Sequence, residues 1–381
     1  MATTADSLTK EFATQLTSLL IEDALPGELD GFGAPECAAT AEFLGRVLAV
    51  RQPAMPSILI ETIPTARARR RMRLGIANDD MPFLVDSVAA EIAAQGLAID
   101  RVLHPVISVQ RNASGALAAL GPRGQGPHES LIYMEVERAD ARVRRKLEDG
   151  IAALLAQVRR AVDDWPHVRA RLKADADALG DSEGGALLHW FADNKLTLLG
   201  FGHFPLEGSP EDALGIAREN GSALLSPAAR KRALAHFKSG GQAPLLLKSN
   251  MISVVHRRVP VELVVVPKGD GLSIHAGLWT SAAMNARPSD IPVLRARLAR
   301  LQAKLGFDPI SHAGKALTHA VTALQFQDMA SQLIHHTHHR LRSVADQLAR
   351  GFASTEGTRK GQLVNLAGRG RMLSQRAAKH F

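Results

Sequence analysis

Short apolar runs of strand-like composition alternate with segments of helical periodicity between residues 72 and 165, and this order constrains the fold more than any other feature. In chain order the pattern predicts a strand at 72–77, a helix at 82–95, strands at 99–110 and 131–136, and a helix at 140–165. That order is most of a ferredoxin-like unit, in which one antiparallel sheet carries two helices on one face. The sixth element is expected in the run LTLLGFGHF at 196–204.

A second α/β unit is predicted further along the chain. Its strand candidates are rich in Val and Ile and lie at 245–255, 259–266 and 272–280, the last two joined by the turn Lys-Gly-Asp-Gly. A helix capped by Ser226 precedes these strands, and an arginine-rich helix follows them. The sequence therefore predicts an α+β protein with tandem ferredoxin-like units, antiparallel sheets, a helical lead and a helical tail. The expected domain limits are 1–70, 71–205, 206–310 and 311–381.

The composition bounds the class of protein. A chain of 381 residues with 46% hydrophobic content can bury substantial cores. Its one cysteine, Cys37, rules out an internal disulfide and a cysteine-based zinc cluster, which suits a reducing cytosol. Acidic residues interrupt the apolar residues of the N-terminus, so we expect neither a signal peptide nor a membrane span there. These features predict a cytoplasmic protein without a membrane partner.

The formal net charge of +8 raises the question of nucleic-acid binding, especially at the arginine-rich run ARARRRMR of residues 66–73. Aromatic content is only 4%, with Tyr133 as the one tyrosine, so the stacking platforms of single-strand binders are nearly missing. We interpret the run as a solvated strand edge and expect no nucleic-acid partner.

Three polar residues, Asn78, Asp79 and Asp80, lie where the first strand meets its helix. One interpretation is that both aspartates serve in helix capping, with the Asp80 carboxylate accepting the amide protons of the first turn and Pro82 lying within that turn. The alternative is a ligand pocket, because exposed amides at a strand-to-helix turn attract anions. Asn78, Asp79 and Asp80 are therefore the candidate ligand-binding residues.

Separated segments of this chain resemble the N-terminal region of the large bacterial NAD-specific glutamate dehydrogenases, in the family's order and over residues 1–324. The segments are NDDMPFLVDSV (78–88), HPVISVQRN (104–112), ESLIYMEVER (129–138), FADNKLTLLGFGHF (191–204), GLWTSAAMNARPSDIPVLRARL (277–298) and SHAGKAL (311–317). The resemblance implies that residues 71–310 hold ACT-like regulatory units, which bind an amino-acid effector or pack subunits together. Full-length members oxidise glutamate to 2-oxoglutarate and ammonia with NAD.

This chain departs from the family in length, since members are several times longer and carry their catalytic lysine and nicotinamide-binding domain downstream of the resemblance. The segment KSGGQAPLLLKSN (238–250) has paired glycines but lacks the G-x-G-x-x-G spacing of a dinucleotide site. Lys248 within it is expected to be a solvent-facing strand residue. We therefore expect no cofactor and no hydride transfer in this chain by itself.

The tail after residue 324 carries two other resemblances. FQDMASQLI (326–334) resembles the helical signature of chemotaxis response-regulator phosphatases, with Asp328 and Gln332 one turn apart as weak catalytic candidates. NLAGRGRMLSQRAAKHF (365–381) resembles the sensor segment of methyl-accepting receptors. An alternative function is thus a signalling protein whose tail dephosphorylates a response regulator; a third possibility is a truncated or fused gene product.

The run HHTHH places His335 and His339 four residues apart, close enough on one helix face to chelate a metal ion. No third ligand is evident from the sequence, so an exposed helix face is the favoured interpretation.

Overall fold

The computed structural model describes residues 2–22, 29–63, 71–122, 125–205 and 210–305. The chain divides into two compact units, Met1–Leu294 and Arg295–Phe381. The elements up to the middle of the chain are α1 (Ala2–Glu22), α2 (Ala34–Leu48), β1 (Ser57–Thr62), β2 (Arg71–Asp79), α3 (Leu84–Ala94), β3 (Ile99–Leu103), β4 (Val106–Arg111), β5 (Leu117–Leu120), β6 (His128–Glu137), α4 (Ala141–Asp163), α5 (Trp165–Ala178) and α6 (Glu183–Trp190). The later elements are β7 (Leu196–Phe204), β8 (Glu211–Gly215), α7 (Ala217–Leu224), α8 (Pro227–Lys238), β9 (Leu245–Ile252), β10 (Pro260–Lys268), β11 (Gly271–Trp279), α9 (Ser281–Met284) and α10 (Leu294–Leu305).

Two antiparallel sheets organise the unit Met1–Leu294. The first sheet has the order β1-β2-β6-β4-β5, with β3 also paired to β6. The second has the order β8-β7-β11-β10-β9. The α+β class with antiparallel sheets is confirmed, and it agrees with an ACT-like fold.

The first sheet is covered on both faces. Alternate residues of β2, Met72, Leu74 and Ile76, join the α3 and α4 side of the core. The opposite face packs Leu131 and Tyr133 of β6 against α1 and α2. A lone ferredoxin-like unit would leave that second face open, so the helical lead here serves as the second cover of the sheet.

A single hydrophobic cluster joins the two sheets. It contains β2 and β6 side chains from the first sheet, the apolar faces of α3 and α4, and Leu263, Val265 and Ile274 from the second sheet. The other face of the second sheet packs Val264, Val266 and Phe201 against α5 and α6. The two sheets are therefore built around a shared core with helices between them.

Three expectations about individual elements are wrong. The strand expected at 99–110 is two strands, β3 and β4, separated by His104 and Pro105. The strand LTLLGFGHF does not complete the first sheet; as β7 it pairs with β11 and β8 of the second. The helix expected at 140–165 begins as predicted, with Asp140 accepting from the amide of Val143 at 2.8 Å, but it ends at Asp163. There Pro166 lies in the first turn of α5, and Asp164 binds the guanidinium of Arg218 and the amide of Gly215. The predicted domain limits as such stay predictions.

Close packing explains one glycine of β2. A methyl group on Gly75 would lie 2.6 Å from Cγ2 of Val47 and 2.7 Å from Cε1 of Phe43. Helix α2 therefore approaches the sheet so closely that only hydrogen fits at this position. Within the described residues, none of the helices has the length and apolar character needed to cross a membrane.

Candidate functional site

The candidate ligand residues lie at the end of β2, where the strand is still paired to its neighbour. Asn78 and Asp79 face Ser130 and Glu129 of β6 in register, and the amide of Asp80 donates to the carbonyl of His128 at 3.2 Å. Backbone pairing with β6 therefore continues through both aspartates, and the chain turns towards α3 only after them.

The capping interpretation of the two aspartates is wrong. Helix α3 begins at Leu84, and Phe83, in a left-handed conformation with φ of 73°, is its N-cap residue without a side-chain cap. Pro82 precedes the helix rather than lying in its first turn. Asp80 instead accepts a hydrogen bond from the hydroxyl of Ser130 at 2.7 Å. Strand pairing holds the carboxylate beside β6, too early in the chain to reach the helix amides.

A buried carboxylate, Glu129, lies at the centre of the site. It is 1% exposed and accepts hydrogen bonds from Nε and Nη2 of Arg51 at 2.9 and 2.8 Å. Arg111 of β4 binds both carboxylate oxygens, at 2.7 and 2.8 Å. Burial by itself would raise the pKa of Glu129, but the hydrogen bonds from Arg111 and Arg51 outweigh it and hold that pKa below its ordinary value.

The Nη1 atoms of the two arginines donate to backbone carbonyl oxygens. Nη1 of Arg111 donates to Leu48 and Gly115 at 2.9 and 2.8 Å, and Nη1 of Arg51 donates to Met55 at 3.2 Å. These bonds tie the end of α2 and the segment after it to β4 and β6. The buried Arg111 and Glu129 side chains are thus engaged in contacts within the protein.

The outer part of the site is the Asp79 carboxylate, which is 36% exposed. One oxygen binds Nη2 of Arg51, and the other lies 2.7 Å from Nη2 of Arg159 on α4. The same Arg159 nitrogen lies 3.1 Å from the side-chain oxygen of Asn78. Burial would raise the pKa of Asp79, but the hydrogen bonds and charges of Arg51 and Arg159 lower it below its ordinary value.

A second branch of polar contacts begins at Asp80. The Ser130 hydroxyl that donates to Asp80 also lies 3.0 Å from Nε2 of His104. Asn78, Asp79 and Asp80 are therefore brought together beside the end of β6, where Arg159 contacts Asn78 and Asp79 and the Ser130 hydroxyl links Asp80 to His104.

The sequence did not indicate the arginines of this site. Arg111 and Glu129 stand at the ends of segments used for the family resemblance, but nothing local pairs them, because they are 18 residues apart; Arg51 and Glu129 are 78 apart. The sequence signal that could have indicated this site is a charged residue, such as Glu129, at the end of an otherwise apolar strand.

Other sequence-based candidates fall elsewhere. Lys248 lies in β9 with a 54% exposed side chain 3.0 Å from Glu262, which confirms the expected solvent-facing strand residue. Asp328, Gln332, His335 and His339 lie outside the described residues. Among the described residues, no group of three or more His, Cys, Asp or Glu side chains is arranged to hold a metal ion.

The arginine-rich run is only partly described. Arg71 lies 2.9 Å from Asp100 and 3.1 Å from Glu135, and Arg73 binds Glu61. Strand β2 has β1 and β6 on its two sides, so the interpretation of these two arginines as a solvated strand edge is wrong. Their side chains are used for ion pairs with neighbouring strands.

Comparison with known proteins gives a consistent result. Residues 18–151 match the family described as glutamate dehydrogenase, ACT1 domain. The chain is 31% identical over 287 residues to the NAD-specific glutamate dehydrogenase of Pseudomonas aeruginosa, covering 67% of this chain and 18% of that protein. It is 26% identical to the proteins of the same description from Halomonas elongata and Mycobacterium tuberculosis, covering 64% and 62% of this chain and 17% and 15% of those proteins. The chain thus spans less than a fifth of the length of these relatives.

Proposed function

We propose, on the premise that residues 18–151 belong to the glutamate dehydrogenase ACT1 domain family, that this chain is the N-terminal regulatory and structural part of an NAD-dependent glutamate dehydrogenase. The observation that carries the proposal is the extent of that match, which includes every strand of the first sheet. The complete enzyme would oxidise glutamate to 2-oxoglutarate and ammonia with NAD. The part described here would supply regulation and packing rather than chemistry.

The described residues do not form a site of the usual kind for NAD. A dinucleotide site of the usual kind uses a parallel sheet and a glycine-rich turn that opens a helix. Both sheets here are antiparallel, and the glycine pair before β9 leads into a strand. We therefore assign no NAD-binding residue within the described part of the chain.

We expect the purified chain to give no glutamate-dependent NADH formation. The measurement is NADH absorbance with glutamate and NAD, beside a full-length NAD-specific glutamate dehydrogenase as positive control. Formation of NADH above the level of a heat-denatured sample would contradict the proposal that this part lacks the reaction.

An amino acid is the proposed effector, bound at Asn78, Asp79 and Asp80. An amino acid carries an ammonium group and a carboxylate close together, and the Asp79–Arg159 pair presents the opposite charges at the exposed rim of the site. The ammonium group would be accepted by Asp79 and the carboxylate by Arg159. The buried Arg51 and Glu129 would hold this rim in place without touching the ligand.

The effector site is tested by a thermal shift screen with amino acids. A ligand at about ten times its Kd should raise Tm by roughly 2–4 °C. Arg159→Gln should remove that shift because it removes the carboxylate partner and frees Asp79. The matched control is Arg160→Gln, whose guanidinium pairs with Glu219 instead.

Loss of the shift in Arg159→Gln but not in Arg160→Gln would support the site. If no amino acid shifts the wild-type Tm, the effector site is wrong, and the family assignment would stand unaffected.

Self-association and a cytoplasmic location complete the proposal. The buried free thiol of Cys37 suits a reducing compartment. Light scattering during gel filtration should give a molar mass above the 40.8 kDa of one chain; a mass equal to one chain at all concentrations would contradict self-association.

A further inference from the structure

Two non-glycine residues in the left-handed backbone conformation, Phe83 and His256, lie in contact with each other. Their φ angles are 73° and 64°, a region that glycine adopts freely and a bulky side chain rarely does. Phe83 lies between β2 of the first sheet and α3, whereas His256 lies in the connection between β9 and β10 of the second sheet. Their ring centres are 5.1 Å apart. The contact thus joins two unfavourable conformations that are far apart in the chain.

One buried hydroxyl holds both backbones. Ser87 of α3 is 1% exposed, and its hydroxyl donates to the carbonyl of Phe83 at 2.5 Å while it accepts from the amide of His256 at 2.8 Å. In addition, Nδ1 of His256 lies 3.0 Å from a carboxylate oxygen of Asp86, the residue before Ser87. The contacts that hold one left-handed residue therefore also hold the other.

This mutual dependence gives the contact two discrete arrangements. A backbone conformation of this kind persists only while the surrounding structure enforces it. If the rings separate and the Ser87 bridge breaks, Phe83 and His256 can both return to ordinary right-handed conformations, and closing the contact again requires both to leave them. An element with two discrete arrangements is what physical coupling between distant parts of a protein requires.

We propose that Phe83, Ser87 and His256 form a conformational latch that couples the end of β2 to the second sheet. Only two residues separate Phe83 from Asp80, which is tied to β6 through the hydroxyl of Ser130. A displacement of that turn therefore reaches the latch through the backbone, and an open latch releases the connection that leads into β10. The latch itself does not depend on the amino-acid effector proposed above; an effector bound at that turn would influence the second sheet by this route.

The first test is hydrogen–deuterium exchange of the full chain, followed by mass spectrometry in the segments 80–87 and 253–259. Both segments contain hydrogen-bonded backbone amides whose exchange reports on opening. Ser87→Ala removes the bridge and should speed exchange about tenfold in both segments. His256→Gly should speed exchange in 80–87 to a similar degree, although the substitution lies on the other sheet. The matched control is Val259→Ala, a 39% exposed residue of the same connection, for which no change in 80–87 is expected.

The second test measures the coupling to the turn. Asp80→Ala removes the acceptor of the Ser130 hydroxyl and should speed exchange in 253–259 by roughly threefold in the wild-type background. In the His256→Gly background it should add nothing there, because the latch is already open.

Exchange that changes only in the segment that carries the substitution would overturn the proposal. So would an Asp80→Ala effect on 253–259 that persists unchanged in His256→Gly. If Ser87→Ala does not fold, Asp86→Asn replaces it, because it weakens only the half-exposed contact to the His256 ring; a smaller rise of exchange in both segments is then expected, and no rise in 253–259 would contradict the latch.

Discussion

At the scale of single residues, the main feature is the buried carboxylate of Glu129, which lies between two arginines. Its carboxylate receives four N–H···O contacts from Arg51 and Arg111. A buried ion pair of this kind adds little net stability over an apolar alternative, but removing one partner leaves the others uncompensated.

Glu129→Gln should therefore lower the free energy of unfolding by about 3–5 kcal/mol, because Arg111 loses its carboxylate partner and Arg51 keeps only Asp79. Urea unfolding measures the change. Glu219→Gln is the control, since Glu219 is 59% exposed and pairs with Arg160; a change within about 1 kcal/mol is expected there. Equal losses in both variants would show that burial of the Glu129 network has no special weight.

The pH dependence of stability follows from the same site. The pKa values of Glu129 and Asp79 lie below their ordinary values in the folded chain, so the unfolded chain binds protons first as pH falls. Their stabilisation is complete above the ordinary carboxylate pKa of about 4 and is lost as pH falls through the lower folded values. Glu129→Gln should lose less stability than wild type between about pH 5 and pH 2, and an unchanged slope would contradict this account.

At the scale of elements, the contact of α2 with the first sheet depends on a missing side chain. Gly75 of β2 touches Phe43 and Val47 of α2 so closely that a methyl group does not fit. The helix thereby covers Tyr133 and Leu131 on the same face.

Gly75→Ala should lower the free energy of unfolding by about 1–3 kcal/mol, since the helix must move away from the sheet. Gly45→Ala on α2 is the matched control: a methyl group there meets nothing within 4 Å, and alanine favours the helix by up to about 1 kcal/mol. Chemical unfolding of both variants decides the matter, and a stabilising Gly75→Ala would contradict the packing argument.

At the scale of the whole molecule, a shared core joins the two sheets of Met1–Leu294, so we expect them to unfold as one cooperative unit. The tryptophans Trp165, Trp190 and Trp279 lie in or beside the second sheet and its helices, whereas Met72 lies in the first sheet. Tryptophan fluorescence therefore reports on one sheet while mutations can be placed in the other.

Met72→Ala should lower the unfolding midpoint seen by tryptophan fluorescence as much as the one seen by far-ultraviolet circular dichroism. The cavity should cost about 2–5 kcal/mol, and a cooperative unit transmits that cost to every probe. If the fluorescence midpoint stays at its wild-type value, the sheets unfold independently.

The sequence by itself determined the local features of this protein. Periodicity identified most of the strands and helices, although it missed β5 and β8, and cap chemistry located the start of α8 at Ser226. The order of separated motifs gave the family of the N-terminal region, which the match of residues 18–151 confirms. These features depend on neighbours within a few residues, so the chain pattern contains them.

Only the tertiary structure decided which strands pair and which charges meet. It assigned LTLLGFGHF to the second sheet, ended the long helix at Asp163 and drew Asp79 and Asp80 away from α3 into contacts with Arg51 and Ser130. For the strand and the two aspartates the physical reason is the same: a strand edge or a carboxylate pairs with whichever partner the packing brings near. That partner is set by the shared core and lies far away in the chain, beyond the reach of local pattern.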